Sequence, residues 1–126
     1  NAKTLANKLQ ELGIDIVSGG TDNHLILVKT DSVDLSGKKA ERILEASGIT
    51  CNKNMIPGDK RSPFVTSGVR IGTPAITTRG LKEEHMEQLG VWMNDAMRNP
   101  DSEATHTKIK KEVLELCSAF PVYPNL

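Results

Sequence analysis

The chain has 126 residues, enough for one domain with a buried core, and its 37% apolar and 25% charged content excludes a disordered chain. Sixteen Lys and Arg balance sixteen Asp and Glu, which argues against a dedicated nucleic-acid binder, because such proteins carry a basic excess. No apolar run approaches the roughly 18 residues a membrane span needs, and two cysteines, Cys51 and Cys117, make neither a disulfide framework nor a metal knuckle, which points to the reducing cytoplasm. The chain starts at Asn1 with no Met and no signal region, so it reads as a piece of something longer or a processed product.

Leu5, Leu9 and Leu12 recur at helical spacing before Gly13, which predicts a helix over 2–12. Residues 14–17 read as a short strand ended by Gly19-Gly20, and 24–29 as a second strand whose dense apolar run suggests cover on both faces or a second domain against one side. Ser36 reads as an N-cap, with Ala40, Ile43 and Leu44 on one helical face and Gly48 at the stop. Residues 49–51 read as a strand. Residues 52–67, with Pro57-Gly58, Asp59, Arg61, Ser62-Pro63 and Phe64, lack periodicity and read as a loop whose length suggests function. Residues 69–71 are the last strand candidate, and Pro74 opens a helical turn through Ile76. Met86, Leu89, Met93 and Ala96 mark one helix, broken at Asn99-Pro100. Asp101 then caps another, with Ile109, Val113, Leu116 and Phe120 on its apolar stripe. The order predicts an α+β, two-layer domain over 1–126: a short, mostly antiparallel sheet of three or four strands packed with helices.

Few residues announce chemistry by themselves. His85 and His106 fall on polar helix faces and His24 at a strand start. Three or four converging metal ligands cannot be assembled from them, so no metal site is expected. Cys117 falls on an apolar stripe as a packed thiol, while Cys51 borders the long loop and stays ambiguous. Arg70 stands out, a cation between Val69 and Ile71 and bracketed by Gly68 and Gly72. Strand alternation turns it away from its apolar neighbours. It could grip a carboxylate in a cleft through two parallel hydrogen bonds, or form an ordinary surface ion pair.

The segment Ser62-Pro63-Phe64-Val65-Thr66-Ser67-Gly68-Val69-Arg70-Ile71-Gly72-Thr73-Pro74-Ala75 resembles a signature of the serine hydroxymethyltransferases. So do Ser18-Gly19-Gly20-Thr21-Asp22-Asn23-His24-Leu25, Asn52-Lys53-Asn54 and the closing Phe120-Pro121-Val122-Tyr123-Pro124, in the same order along nearly the whole chain. The resemblance implies the small C-terminal domain of an aspartate-aminotransferase-like (fold type I) enzyme. Such an enzyme uses pyridoxal 5'-phosphate (PLP) to interconvert serine and glycine, with tetrahydrofolate as one-carbon carrier. It implies that Arg70 binds the substrate carboxylate, that Asn54 hydrogen-bonds the folate pterin, and that Ser62, Pro63 and Phe64 line the folate site. The family's cofactor-lysine motif and catalytic glutamate have no counterpart here, so the resemblance implies a fragment that is inactive alone and holds no catalytic residue. It further implies a cytoplasmic homodimer or tetramer for the full enzyme, without nucleic-acid or membrane partners.

Two other readings stand beside this one. A stand-alone ligand-binding or regulatory module could keep the fold without the catalysis. An anion or nucleic-acid contact through Lys53, Lys60, Arg61, Arg70 and Arg79 is opposed by the zero net charge and the lack of an aromatic platform.

Overall fold

A computed structural model describes residues 2–17, 25–72 and 83–119. Helix α1 (Ala2–Glu11) buries Leu5, Ala6 and Leu9. It ends as the glycine signal predicts: Gly13 takes φ +88, and the Ile14 amide reaches back to the Leu9 carbonyl at 2.9 Å. The strand expected over 14–17 shrinks to one bridge, Ile16 with Val28. The Val17 amide donates to the Leu27 carbonyl, and the Lys29 amide to Asp15, so this stretch lies along the outer edge of the first strand.

Three antiparallel strands form the sheet among the described residues: β1 (Leu25–Lys29), β2 (Asn52–Asn54) and β3 (Gly68–Gly72), with β3 in the centre. Period-two alternation sorts the side chains. Ile26, Val28, Val69 and Ile71 point into the core, whereas Leu27, Arg70, Asn52 and Asn54 belong to the opposite face. The dense apolar run of β1 is therefore only half committed to the core. A 3-10 turn (Thr30–Val33), unanticipated from the sequence, follows β1 and closes through Asp34 at φ +60.

Helix α2 (Gly37–Ala46) begins at Ser36, whose hydroxyl accepts the Lys39 amide at 3.1 Å. Its far end repeats the α1 motif, with Gly48 at φ +80 and the Ile49 amide bonded to the Leu44 carbonyl at 2.8 Å. That bond displaces the strand that follows. The strand expected over 49–51 lies three residues later in sequence, at Asn52–Asn54, because Ile49 is consumed by the helix cap; the ladder begins with Asn52 opposite Arg70. Glu41 of α2 then accepts the outward Lys53 amide at 2.7 Å, which covers a free edge donor.

Helix α3 (Glu83–Arg98) lies against α1 and buries Met86, Met93, Ala96 and Met97, while Arg98 donates to the Leu12 carbonyl at 3.1 Å. Helix α4 (Glu103–Ala119) buries Ile109 and Val113. Its cap is Ser102 and not Asp101: the Ser102 hydroxyl accepts the Thr105 amide at 3.2 Å, and Asp101 stands exposed 3.8 Å from Lys39 Nζ. Trp92 Nε1 donates to Glu112 at 2.8 Å and joins the two helices. His106, expected on a polar face, is instead buried, with Nε2 3.2 Å from the Ala96 carbonyl. The helical turn expected at 74–76, the sequence around His24 and the tail from Phe120 lie outside the described residues, as does the side chain of Cys117.

Candidate functional site

The site is built where the loop between β2 and β3 meets the sheet face without core side chains. Asn54 pairs with Gly68 and Asn52 with Arg70, so Arg70 and Asn54 are diagonal neighbours on one face. Arg70 is exposed, and no acid among the described residues pairs with it. The surface ion pair that would explain it away is thus not found there. Asn54 Nδ2 donates to the Met55 carbonyl at 2.9 Å, which orients the amide and leaves its oxygen and one further N–H to bond elsewhere.

The loop has its own frame. The Ser62 carbonyl accepts the amides of Val65 at 3.0 Å and Thr66 at 2.9 Å, with Pro63 at the turn position that suits its fixed φ. This tight turn throws Phe64 outward, where it is 81% exposed. Ser62 and Pro63 are also exposed, and Ser62 acts structurally through its backbone. Thr66 then takes φ +60, its hydroxyl donates to the Gly68 carbonyl at 3.1 Å, and its own carbonyl accepts the Gly37 amide at 3.0 Å. The Lys38 amide bonds to the Val65 carbonyl at 2.9 Å, so the first donors of α2 hold the loop. Gly37 has no room for a side chain; a Cβ there would collide with Thr66 Oγ1 and the Gly68 carbonyl.

At the centre of the loop stands Asp59, to which the sequence alone assigns no role. Its Oδ1 accepts the Arg61 amide at 2.9 Å and the Ser67 hydroxyl at 2.7 Å, and its Oδ2 accepts the Ser67 amide at 2.8 Å and the Ile56 amide at 3.3 Å. Arg61 Nη1 donates to the same Ser67 oxygen at 2.9 Å. Burial opposes the charge, but these bonds together outweigh it and hold the carboxyl at about 2. The available signal was Pro57-Gly58-Asp59, a turn sequence whose acid readily bonds nearby amides. Cys51, ambiguous by sequence, is buried beneath α2. Burial first, then the charges of Glu41 and Glu45, push its thiol up to about 12, so it is a packing group and not a nucleophile.

A family model described as serine hydroxymethyltransferase matches residues 1–93. The chain belongs to the serine hydroxymethyltransferase family. The curated serine hydroxymethyltransferase of Rhodopirellula baltica is 54% identical over 97% of this chain and 29% of its own length. That of Mycoplasma mycoides is 54% identical over 100% and 30%, and that of Pseudoalteromonas atlantica 54% over 98% and 29%. The chain thus spans less than a third of each of these serine hydroxymethyltransferases. The α+β architecture agrees with the small domain expected for the family. Among the described residues no helix is long and apolar enough to cross a membrane.

Proposed function

We propose that this chain is the small C-terminal domain of a PLP-dependent serine hydroxymethyltransferase that interconverts serine and glycine with tetrahydrofolate. In this reading the working unit is a cytoplasmic homodimer or tetramer. The observation that carries the proposal is Arg70, exposed beside Asn54 on the sheet face that holds no core side chains, with the Phe64 loop joining the two strands. The chemistry of these groups fits the ligands. A guanidinium matches a carboxylate through two parallel N–H···O bonds. An amide offers both a donor and an acceptor to a pterin edge, and an exposed aromatic ring with a proline beside it suits a flat heterocycle.

No lysine here matches the family's cofactor motif, and on this reading PLP is held by the part of the enzyme this chain does not span. When bound, PLP supplies the electron sink for cleavage at the amino acid Cα. The work of this chain is positioning. Arg70 fixes the substrate's carboxylate end and so orients the bond to be broken. Asn54 sets the pterin by hydrogen bonds, while Ser62, Pro63 and Phe64 form the wall that excludes water from it. On this reading the chain alone is inactive.

The test is Arg70→Lys in the full-length enzyme. Lysine keeps the charge but loses the planar fork. Serine turnover, as kcat/KM, is expected to fall roughly 30-fold, equivalent to about 2 kcal/mol of lost transition-state stabilisation. Near-normal turnover would overturn the role of Arg70.

A further inference from the structure

We propose that Asp59 is a positioning residue of the folate subsite, whose carboxylate ties the two ends of the 55–67 loop together and so holds Asn54 and Phe64 where the pterin docks. This rests on the folate reading above and assigns a residue to it that touches no ligand.

A loop of this length loses much conformational freedom on ordering and needs internal bonds to hold one shape. Asp59 provides them at both ends. Ile56 lies at the start of the loop, two residues beyond Asn54, and Ser67 lies at its end, directly before Gly68, the partner of Asn54 in the ladder. The carboxylate bonds both amides through Oδ2 and the Arg61 amide and Ser67 hydroxyl through Oδ1, so each oxygen serves two donors. An ionised acceptor makes such bonds shorter and stronger than a neutral one. Ser67 completes the staple, donating to Asp59 while accepting from Arg61 Nη1, and its carbonyl takes the Thr30 amide at 2.9 Å, which anchors the loop to the end of β1.

Arg70 does not depend on this staple. It sits in the central strand, paired with Leu27 on one side and Asn52 on the other. Loosening the loop should therefore separate the two ligands, with folate binding lost and carboxylate binding kept. A residue that only stabilised the domain would weaken both.

The experiment uses the full-length enzyme and measures equilibrium binding of tetrahydrofolate and, separately, of glycine. Asp59→Asn puts an NH2 group against amides that need an acceptor, and is expected to weaken tetrahydrofolate binding about 10-fold or more. Ser67→Ala keeps the carboxylate and removes one bond, for an expected loss of about 3-fold. Glycine affinity should stay within about 2-fold in both, and amide hydrogen exchange at Ile56, Arg61 and Ser67 should quicken. If Asp59→Asn leaves tetrahydrofolate affinity intact while Asn54→Ala lowers it, the staple is dispensable and the proposal falls. If neither variant lowers it, the folate reading itself is wrong. Equal loss of both ligands also overturns the proposal, and if Asp59→Asn does not fold, Ser67→Ala decides alone by the same split.

Discussion

The Asp59 carboxyl couples the shape of the loop to pH. Burial alone would raise its pKa, yet bonds from the Arg61 amide, the Ser67 hydroxyl and the amides of Ser67 and Ile56 lower it from 3.8 to about 2. A carboxyl depressed in the folded state stabilises that state fully above its unfolded value and loses the effect as pH falls through its folded value. The folded loop should therefore keep this contribution down to about pH 4 and lose it progressively towards about pH 2. Asparagine at this position cannot titrate. Denaturation of the chain with Asp59 and with Asp59→Asn, run at about pH 6, 3 and 2, should show a stability gap that narrows on acidification. A gap of constant size would mean that the charge of Asp59 contributes nothing to folding.

Helix α2 shows which parts of an element can be read from a sequence and which cannot. Its local grammar was legible: Ser36 caps it, Ala40, Ile43 and Leu44 form its buried face, and Gly48 ends it. The same holds for α1 with Gly13. What the sequence hid are contacts between residues far apart or competing for one group. Ile49 looked like strand because nothing local shows that its amide closes the helix cap, and the ladder shifted to Asn52 as a result. His106 looked solvated because helical spacing gives no sign that α3 passes over it with the Ala96 carbonyl. Arg70 was legible by alternation, but the Asp59 staple spans eight residues of aperiodic loop and carries no period to detect. The docking of α2 on that loop was equally hidden, and it yields a test. Ala favours helix over Gly by about 1 kcal/mol at an exposed interior position, so Gly37→Ala would stabilise α2 if propensity decided. Here the added Cβ collides with Thr66 and Gly68, and overpacking of that kind costs about 1–3 kcal/mol. The steric effect should win. Chemical denaturation is expected to show net destabilisation, and a stabilised variant would mean that α2 does not rest on the loop as described.

At the scale of the whole molecule, the sheet divides the chain into a layer that holds the fold and a face that holds the candidate site. Ile26, Val28, Val69 and Ile71 join Leu5, Leu9, Leu44 and the methionines of α3 in one continuous cluster, so removing any large member leaves a cavity in a shared core. Arg70, Asn52 and Asn54 lie across the strands from that cluster and share none of its packing. The division predicts opposite responses to truncation on the two sides. Leu44→Ala deletes a fully buried side chain where α2 meets the sheet and the C-terminal helices, and should cost about 2–5 kcal/mol. Asn52→Ala removes an exposed amide directly opposite Arg70 in the ladder and should change stability by no more than about 0.5 kcal/mol. Urea unfolding of both variants against the parent chain measures the contrast. If Asn52→Ala proved as damaging as Leu44→Ala, the face bearing Arg70 would be part of the structural core, and its residues would be conserving the fold and not receiving a ligand.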